Sequence, residues 1–441
     1  MDRRELLTVT GATLFASLAG CVGDTFPNDD DSADDGAFQS DHLNPPEKQP
    51  NLPDEVLAEL AHGNAEFATD LYGKLAQTDD DNLFLSPYSI TTALAMTYAG
   101  ADGQTRDEME ATLHFTLEDK THEAFADLAH ELATREEIED ETQDEPVDAF
   151  TLRVANALWG RTGYGFADEF LHRLDSYYGS GLIEADFAGQ PDAERERIND
   201  WIATATEDNI EELLPAGSIS ADTVFVITNA IYFMASWLEE FDPDETMDEP
   251  FTPLAGDEQT VPMMHQQLEA PYLSRDTFKA IEMPYVGTEV SMVLILPDEG
   301  TFAEFEASLD ADQLFGIFDS LEMGTGGLAL PQFEIESTVE LADVLTEMGM
   351  QTAFGDGEAD FSRMVDGEGG LWIDQVYHDA FVSVDEEGTE AAAATAVVGD
   401  DSLPPDWGEL RFDRPFIFCI RDRPTDAVMF LGRVTDVGEA Q

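Results

Sequence analysis

The chain has 441 residues and sets 20 Lys plus Arg against 95 Asp plus Glu, a formal net charge of −75. With 43% hydrophobic and 10% aromatic residues it carries the apolar material for a sizeable core, so the acidity belongs to a globular protein and does not signal global disorder. A field of that sign repels phosphate backbones and anionic lipid surfaces, which are bound through clustered Lys and Arg, and this argues against a nucleic-acid partner.

The only lysines are Lys48, Lys74, Lys120 and Lys279, and self-repulsion on this scale would strain a compact state unless salt screened it. Because the acidity runs the whole length, it reads as adaptation to high salt, as in halophilic archaeal proteins; an acidic secreted protein with a calcium requirement is the alternative. Two cysteines, Cys21 and Cys419, provide no disulfide framework.

Arg3 and Arg4 precede an apolar stretch that ends in Leu18-Ala19-Gly20-Cys21. The stretch is short for a membrane-spanning helix of roughly 20 residues and suits a signal peptide. The paired arginines point to the twin-arginine export route for folded proteins. Leu-Ala-Gly-Cys resembles a lipobox, whose cysteine becomes a lipid-bearing amino terminus; a signal peptide cut elsewhere is the plainer account of Cys21. Residues 1–21 are thus expected to be a lipoprotein signal, placing the protein on the extracellular face of the cell membrane. Residues 22–54 are rich in Asp and Pro, too polar to offset the entropy of ordering, and are expected to be a disordered tether.

The domain is expected over 55–441. Apolar residues from Glu55 to Ala76 recur at helical spacing. Leu83-Phe84-Leu85 is a short apolar run broken by Pro87, after which helical periodicity resumes until Gly100. An acidic stretch at 134–149 reads as a surface loop or helix end. Thr151 to Trp159 alternates as a strand, Ile198 to Leu214 reads as a helix ending at Pro215, and Val224 to Phe233 as a buried strand. Ala280–Tyr285 and Ser291–Leu296 pair around Gly287. A closing hairpin joins Pro415–Ile420 to Val428–Val434, with Cys419 in it as a small buried hydrophobe. Helices dominate the first third and strands the rest, without βαβ alternation, which favours α+β.

Motifs for catalysis are missing. None of the eight histidines stands in a His-Glu-x-x-His frame, and no Gly-x-Ser-x-Gly elbow or phosphate-cradling glycine loop occurs. No metal site or cofactor is expected, and the chain is not expected to be an enzyme.

The informative segment begins after Val384: Asp385-Glu386-Glu387-Gly388-Thr389-Glu390-Ala391-Ala392-Ala393-Ala394-Thr395-Ala396. An alanine run after a Thr reads first as a helix. The polar, proline-bound continuation Gly399 to Pro405 favours an extended loop, and both stay open on composition alone. Here the chain resembles the serpins, a family of serine protease inhibitors. Glu386 to Thr395 is similar to the hinge of inhibitory serpins, and Phe412-Asp413-Arg414-Pro415-Phe416-Ile417-Phe418 to the family's carboxyl-terminal signature. Asn82–Ile90, Asn156-Ala157, Asp186-Phe187, Asn229–Phe233 with Trp237 and Phe241, Met263-Met264, Met283-Pro284-Tyr285, Leu330–Phe333 and Phe430–Arg433 extend the match from about residue 60 to the end.

The resemblance implies an α+β serpin-like fold, with a helical amino-terminal part, a large central mixed sheet, further sheets and an exposed reactive loop at 386–407. It implies a suicide inhibitor: a serine protease cleaves the loop, and the acyl-enzyme is trapped as the loop inserts into the central sheet. Inserted side chains alternate, so Thr389, Ala391, Ala393 and Thr395 face one way and Glu390, Ala392, Ala394 and Ala396 the other. Gly388 is the implied pivot. Ser86, Ser89, Asn229 and His378 match the shutter, the polar group that controls sheet opening. Counting from the hinge puts the scissile bond at Ser402-Leu403; counting back from Phe412 puts it at Pro404-Pro405. A small residue before the bond, with no Lys or Arg between Glu386 and Trp407, implies a subtilisin-like or elastase-like covalent target. A monomer is expected. The alternative is a serpin that does not inhibit and acts as a surface carrier or structural protein.

Overall fold

Proline and serine set the first turn of the domain's central helix. In this computed structural model, which describes residues 46–78, 80–135, 137–138, 147–148, 150–179, 181–365, 370–389 and 405–438, Ser86 caps a helix whose first residue is Pro87. The Ser86 hydroxyl accepts from Ser89 N–H at 3.2 Å, and proline at the first helical position gives up an N–H that would have had no partner. Pro87 therefore starts the helix directly. The described residues all belong to one unit, Gln39–Gln441.

In chain order the elements are α1 (Asp54–Leu75), β1 (Leu83–Leu85), α2 (Pro87–Tyr98), α3 (Gly103–Thr112), α4 (Thr121–Ala133), β2 (Glu137–Ile138), β3 (Val147–Asp148), β4 (Phe150–Arg161), α5 (Asp168–Tyr178), β5 (Leu182–Ala185), α6 (Pro191–Ala205) and β6 (Phe225–Ser236). The second half is built from β7 (Met247–Phe251), β8 (Gln259–Ser274), β9 (Phe278–Pro284), β10 (Val290–Pro297), α7 (Phe302–Ala307), α8 (Ala311–Phe318), β11 (Glu322–Pro331), β12 (Phe333–Glu340) and α9 (Ala342–Met348). It closes with β13 (Gln375–Val384), β14 (Gly388–Thr389), β15 (Asp406–Arg411), β16 (Phe416–Asp422) and β17 (Val428–Val434).

Two large sheets result. The central one runs β12-β13-β6-β4-β5, with β14 attached to β6. β12 pairs β13 and β4 pairs β6 antiparallel, whereas β13 pairs β6 in parallel. The second runs β1-β17-β16-β10-β9-β8-β11-β15, with β7 beside β8. Alternate residues of the central strands enter two different cores. Ala155, Ala157, Trp159, Val226 and Ala230 pack with Ile198, Trp201 and Ile202 of α6, while Ile227, Ile231 and Phe233 join the main core with α2 and the second sheet.

Three expectations are corrected. The helix read over Ile198 to Leu214 starts at Pro191 and ends at Ala205, where Thr206 turns its hydroxyl onto Ile202 O at 2.8 Å and Glu207 and Asp208 take φ of 54° and 64°. The tether read to residue 54 is docked from residue 46 onward. Asp127 of α4 accepts from Asn51 and Leu52 N–H at 3.0 and 2.6 Å, Lys48 N–H donates to Ser176 O, and the His130 ring meets Lys48 O. Within the acidic stretch at 134–149, β2 pairs β3 as a short antiparallel ladder, so this part is strand and not loop. The signal segment with Cys21 and the amino-terminal part of the tether lie outside the described residues.

Buried ion pairs brace the second sheet. Arg421 donates from Nε and Nη2 to Glu282 at 3.0 and 2.8 Å, Ser291 adds its hydroxyl at 2.7 Å, and Glu282 is 2% exposed. The Arg421 guanidinium also lies 4.1 Å over the Phe318 ring. Arg421→Leu strands a buried carboxylate whose remaining cation, Arg423, is 3.5 Å away. Denaturant unfolding in molar salt is expected to show a loss of about 3 kcal/mol or more.

Candidate functional site

The amino end of α2 meets the middle of the central sheet in a polar row inside an otherwise apolar core. Asn156 of β4, Asn229 of β6 and His378 of β13 are register partners across three adjacent strands and face α2. Ser86 N–H donates to His378 Nε2 at 3.1 Å, which puts the ring proton on Nδ1, where it faces Asn229 Oδ1. Asn229 Nδ2 donates to Ser89 Oγ at 2.5 Å and to Asn156 Oδ1. Ser89 Oγ donates to Asn156 Oδ1 at 3.1 Å, Asn156 Nδ2 returns to Ser89 O at 3.2 Å, and Ser86 Oγ donates to Met429 O at 2.8 Å. Burial lowers the His378 imidazole to about 3, so it is neutral. The structure thus brings Ser86, Ser89, Asn229 and His378 together. It adds Asn156, which the sequence reading placed in a matching block without a role; its signal was an inward-facing amide in an alternating strand.

Above this row the chain reverses. β13 ends at Val384, and Asp385 Oδ1 accepts from Glu387 and Gly388 N–H at 2.9 and 3.2 Å, a turn that sends Gly388 and Thr389 back along β6, antiparallel. Gly388 pairs with Ser236 and Thr389 with Ala235. Gly388 has φ +142°, and a Cβ there would lie 2.3 Å from Ala235 O, so this approach of backbone to backbone demands glycine. Trp237 donates its backbone N–H to Glu387 O and its indole N–H to Asp385 O, both at 3.0 Å, and stacks on Tyr285 at 4.7 Å. The Glu386 carboxylate is held by Thr246 Oγ1 at 2.5 Å and by Gln332 Nε2 at 2.6 Å, and Glu386 O accepts from Phe241 N–H. Thr246, Gln332 and Phe241 lie far from the hinge in sequence, and no local pattern marks them as its partners.

Glu390, Ala391, Ala392, Ala393, Ala394, Thr395, Ser402 and Leu403 lie outside the described residues. The chain resumes at Pro405, whose O accepts from Thr325 N–H, and β15 pairs with β11 in parallel from Asp406. The loop read as 386–407 is therefore anchored at both ends: Glu386 and Glu387 form the turn, Gly388 and Thr389 pair with β6 of the central sheet, and Asp406 and Trp407 belong to β15 of the second. Cys419 is fully buried, and burial pushes its thiol up to about 12, as an inert core residue requires. Among the described residues no group of His, Cys, Asp or Glu is arranged to hold a metal ion.

The central sheet thus has six strands with β14 included, carries the amino end of α2 beneath its β6–β13 pairing, and receives the returning chain on β6. The family model "Serpin (serine protease inhibitor)" matches residues 62–437, and the chain belongs to the serpin family. It is 37% identical to an uncharacterized serpin-like protein of Thermococcus kodakarensis, over 98% of both chains, and 37% identical to mouse leukocyte elastase inhibitor A, over 86% of this chain and 99% of the relative. Among solved structures, uncleaved ovalbumin superimposes with a TM-score of 0.74 at 27% identity, covering 86% of this chain and 99% of ovalbumin. Human thyroxine-binding globulin with thyroxine gives 0.73 at 28% identity, covering 87% and 99%.

His378 makes a pH prediction. Held near 3 in the native state against 6.5 when free, it favours the unfolded state as pH falls from 6.5 toward 3, because only the unfolded chain then takes up the proton. His378→Gln is expected to flatten that part of the stability profile while lowering stability at pH 8, as measured by denaturant midpoints at each pH.

Proposed function

We propose that the chain is a suicide inhibitor of extracellular serine proteases whose reactive loop, once cleaved, enters the central sheet between β6 and β13. The observation that supports this most directly is the register of β14. Gly388 opposite Ser236 and Thr389 opposite Ala235, continued residue by residue, set Ala391 against Phe233, Ala393 against Ile231 and Thr395 against Asn229. Phe233, Ile231, Asn229 and Ala235 face the main core, so Thr389, Ala391, Ala393 and Thr395 would be the buried set and Glu390 would point toward the α6 face. Small uncharged residues at every inward position are what such a slot requires.

The protease supplies the nucleophile in this mechanism. Its serine attacks the carbonyl carbon of the residue before the scissile bond, the new amino terminus departs, and the loop stays esterified to the enzyme. Insertion of the loop then has to outrun hydrolysis of that ester. We place the cut at Ser402-Leu403 and the target among subtilisin-like or elastase-like enzymes. We also propose that Cys21 carries lipid and that the acidic segment holds the monomeric inhibitor at the outer membrane face of a salt-adapted cell after twin-arginine export. The likeness to thyroxine-binding globulin supports a second reading, a serpin that carries a ligand and does not inhibit.

The test is to mix the chain in molar salt with a salt-tolerant subtilisin-like protease and with an elastase. Denaturing gels are expected to show a covalent band at the summed mass and a released carboxyl-terminal fragment starting at Leu403. Thr389→Arg, which places a charge opposite buried Ala235, is expected to turn the inhibitor into a substrate, cleaved without the covalent band. Clean cleavage of the unsubstituted chain with no covalent band and no rise in melting temperature would support the carrier reading instead.

A further inference from the structure

Asp379 follows His378 on β13 and faces the other side of the sheet, toward α6. It is 2% exposed and receives one hydrogen bond, from Thr338 Oγ1 to Oδ2 at 2.7 Å. Its Oδ1 is buried with no hydrogen-bond partner among the described residues. An ionised carboxylate offers about four acceptor positions, and burying it with one filled penalises the charged form. Its neighbours do little to offset this. Glu336 of β12 adds like charge. On β6, Ala230 stands directly opposite, with Thr228 and Tyr232 two places to either side on the same face, and Thr228 already accepts from the Trp159 indole. Arg153 of β4, opposite Tyr232, is paired with Glu207. Tyr377 and Phe381 flank it along its own strand, and α6 contributes the apolar Ile198, Trp201 and Ile202 to the cluster that holds Ala230 and Tyr377.

The position of this carboxylate matters because Asp379 and Ala230 face each other across the parallel seam. Separating β6 from β13 by one strand width, about 4.8 Å, removes that closure and lets water reach Oδ1. We propose that Asp379 couples the opening of the β6–β13 seam to pH, the ionised carboxylate favouring the open sheet and the protonated one the closed sheet. As a device for regulating inhibition it rests on the reading above, because loop insertion is what uses the opening.

Burial, countered by the Thr338 bond and reinforced by Glu336, holds the carboxyl at about 6 in the closed sheet. Once hydrated it returns to the ordinary carboxylate range near 4, so the closed state binds the proton more tightly. Opening therefore grows as pH rises toward 6 and levels off above it. His378, on the opposite face, titrates with the opposite sign, so the Asp379 contribution is read as a ratio of the parent chain to Asp379→Asn at each pH.

The experiment is amide hydrogen exchange on the full chain in molar KCl from pH 5 to 8, following residues 226–232 and 375–381. The ratio of opening constants, parent over Asp379→Asn, is expected to rise about tenfold between pH 5 and pH 8 and to level off above 6. A ratio that does not change with pH overturns the proposal. Thr338→Val, compared with the parent, removes the one bond to the ionised form and is expected to move the rise to higher pH; a rise that stays in place also overturns it. No protease enters the measurement. Loss of inhibition with the pH-dependent ratio intact would refute the inhibitor reading alone, and a flat ratio in an active inhibitor would refute the coupling alone.

Discussion

The parallel seam between β6 and β13 is the contact on which the rest of the architecture turns. Both strands pair antiparallel with their outer neighbours, β6 with β4 and β13 with β12, and meet each other in the weaker parallel arrangement. A strand that runs back from β13 between them is antiparallel to both. Its entry would replace one parallel ladder by two antiparallel ones, a gain of backbone hydrogen bonds with no change in the outer strands. β14 already runs in that direction for two residues. The polar row under the seam opposes the exchange: Ser86, Ser89, Asn156, Asn229 and His378 satisfy one another only while β4, β6 and β13 keep their register, and separating them exposes buried donors and acceptors.

Electrostatics divide the molecule differently. The chain has few cations, yet Arg135, Arg421 and Arg433 are buried against Asp422, Glu282 and Glu306. These pairs are shielded from solvent ions, so molar salt weakens them little, while the surplus carboxylates at the surface repel one another over distances that salt shortens to a few ångströms. Salt would thus relieve the surface without loosening the interior. Asp379 and Glu282 show how much depends on a partner: both are buried carboxylates, but Glu282 has two arginines and a serine, and Asp379 has one threonine.

Much of the fold was legible in the chain because alternation and helical spacing report burial directly. β4 falls where its alternation places it, β6, β9, β10 and the β16–β17 hairpin where apolar runs and the turn residues between them do, and α1 where its apolar stripe does. The end of α6 was not legible, since Thr206 and two left-handed residues break a helix that composition would continue. The docking of residues 46–53 was hidden because it uses backbone N–H groups on Asp127, and an Asp- and Pro-rich segment carries no apolar signature for such a contact. Of the site, Ser86, Ser89, Asn229 and His378 were found through family likeness. Asn156 could have been found from strand alternation. The partners of Glu386 and the unfilled acceptor of Asp379 arise only when distant strands come into register.

The turn at Asp385–Gly388 ties the end of β13 to the rest of the domain. Its hydrogen bonds fall into two groups. Asp385 Oδ1 with Glu387 and Gly388 N–H is local and would survive any movement of the loop beyond it, whereas the Glu386 carboxylate on Thr246 and Gln332, and Trp237 on Asp385 O and Glu387 O, tie the turn to the rest of the domain. A strand that continued inward from Thr389 would leave both groups in place, because it would lengthen an existing ladder and break nothing above it. The resistance to insertion would then lie entirely below, in the β6–β13 contact itself. With anchor and barrier separated in this way, a titratable group on the seam such as Asp379 would shift the opening equilibrium without touching the turn that leads into the loop.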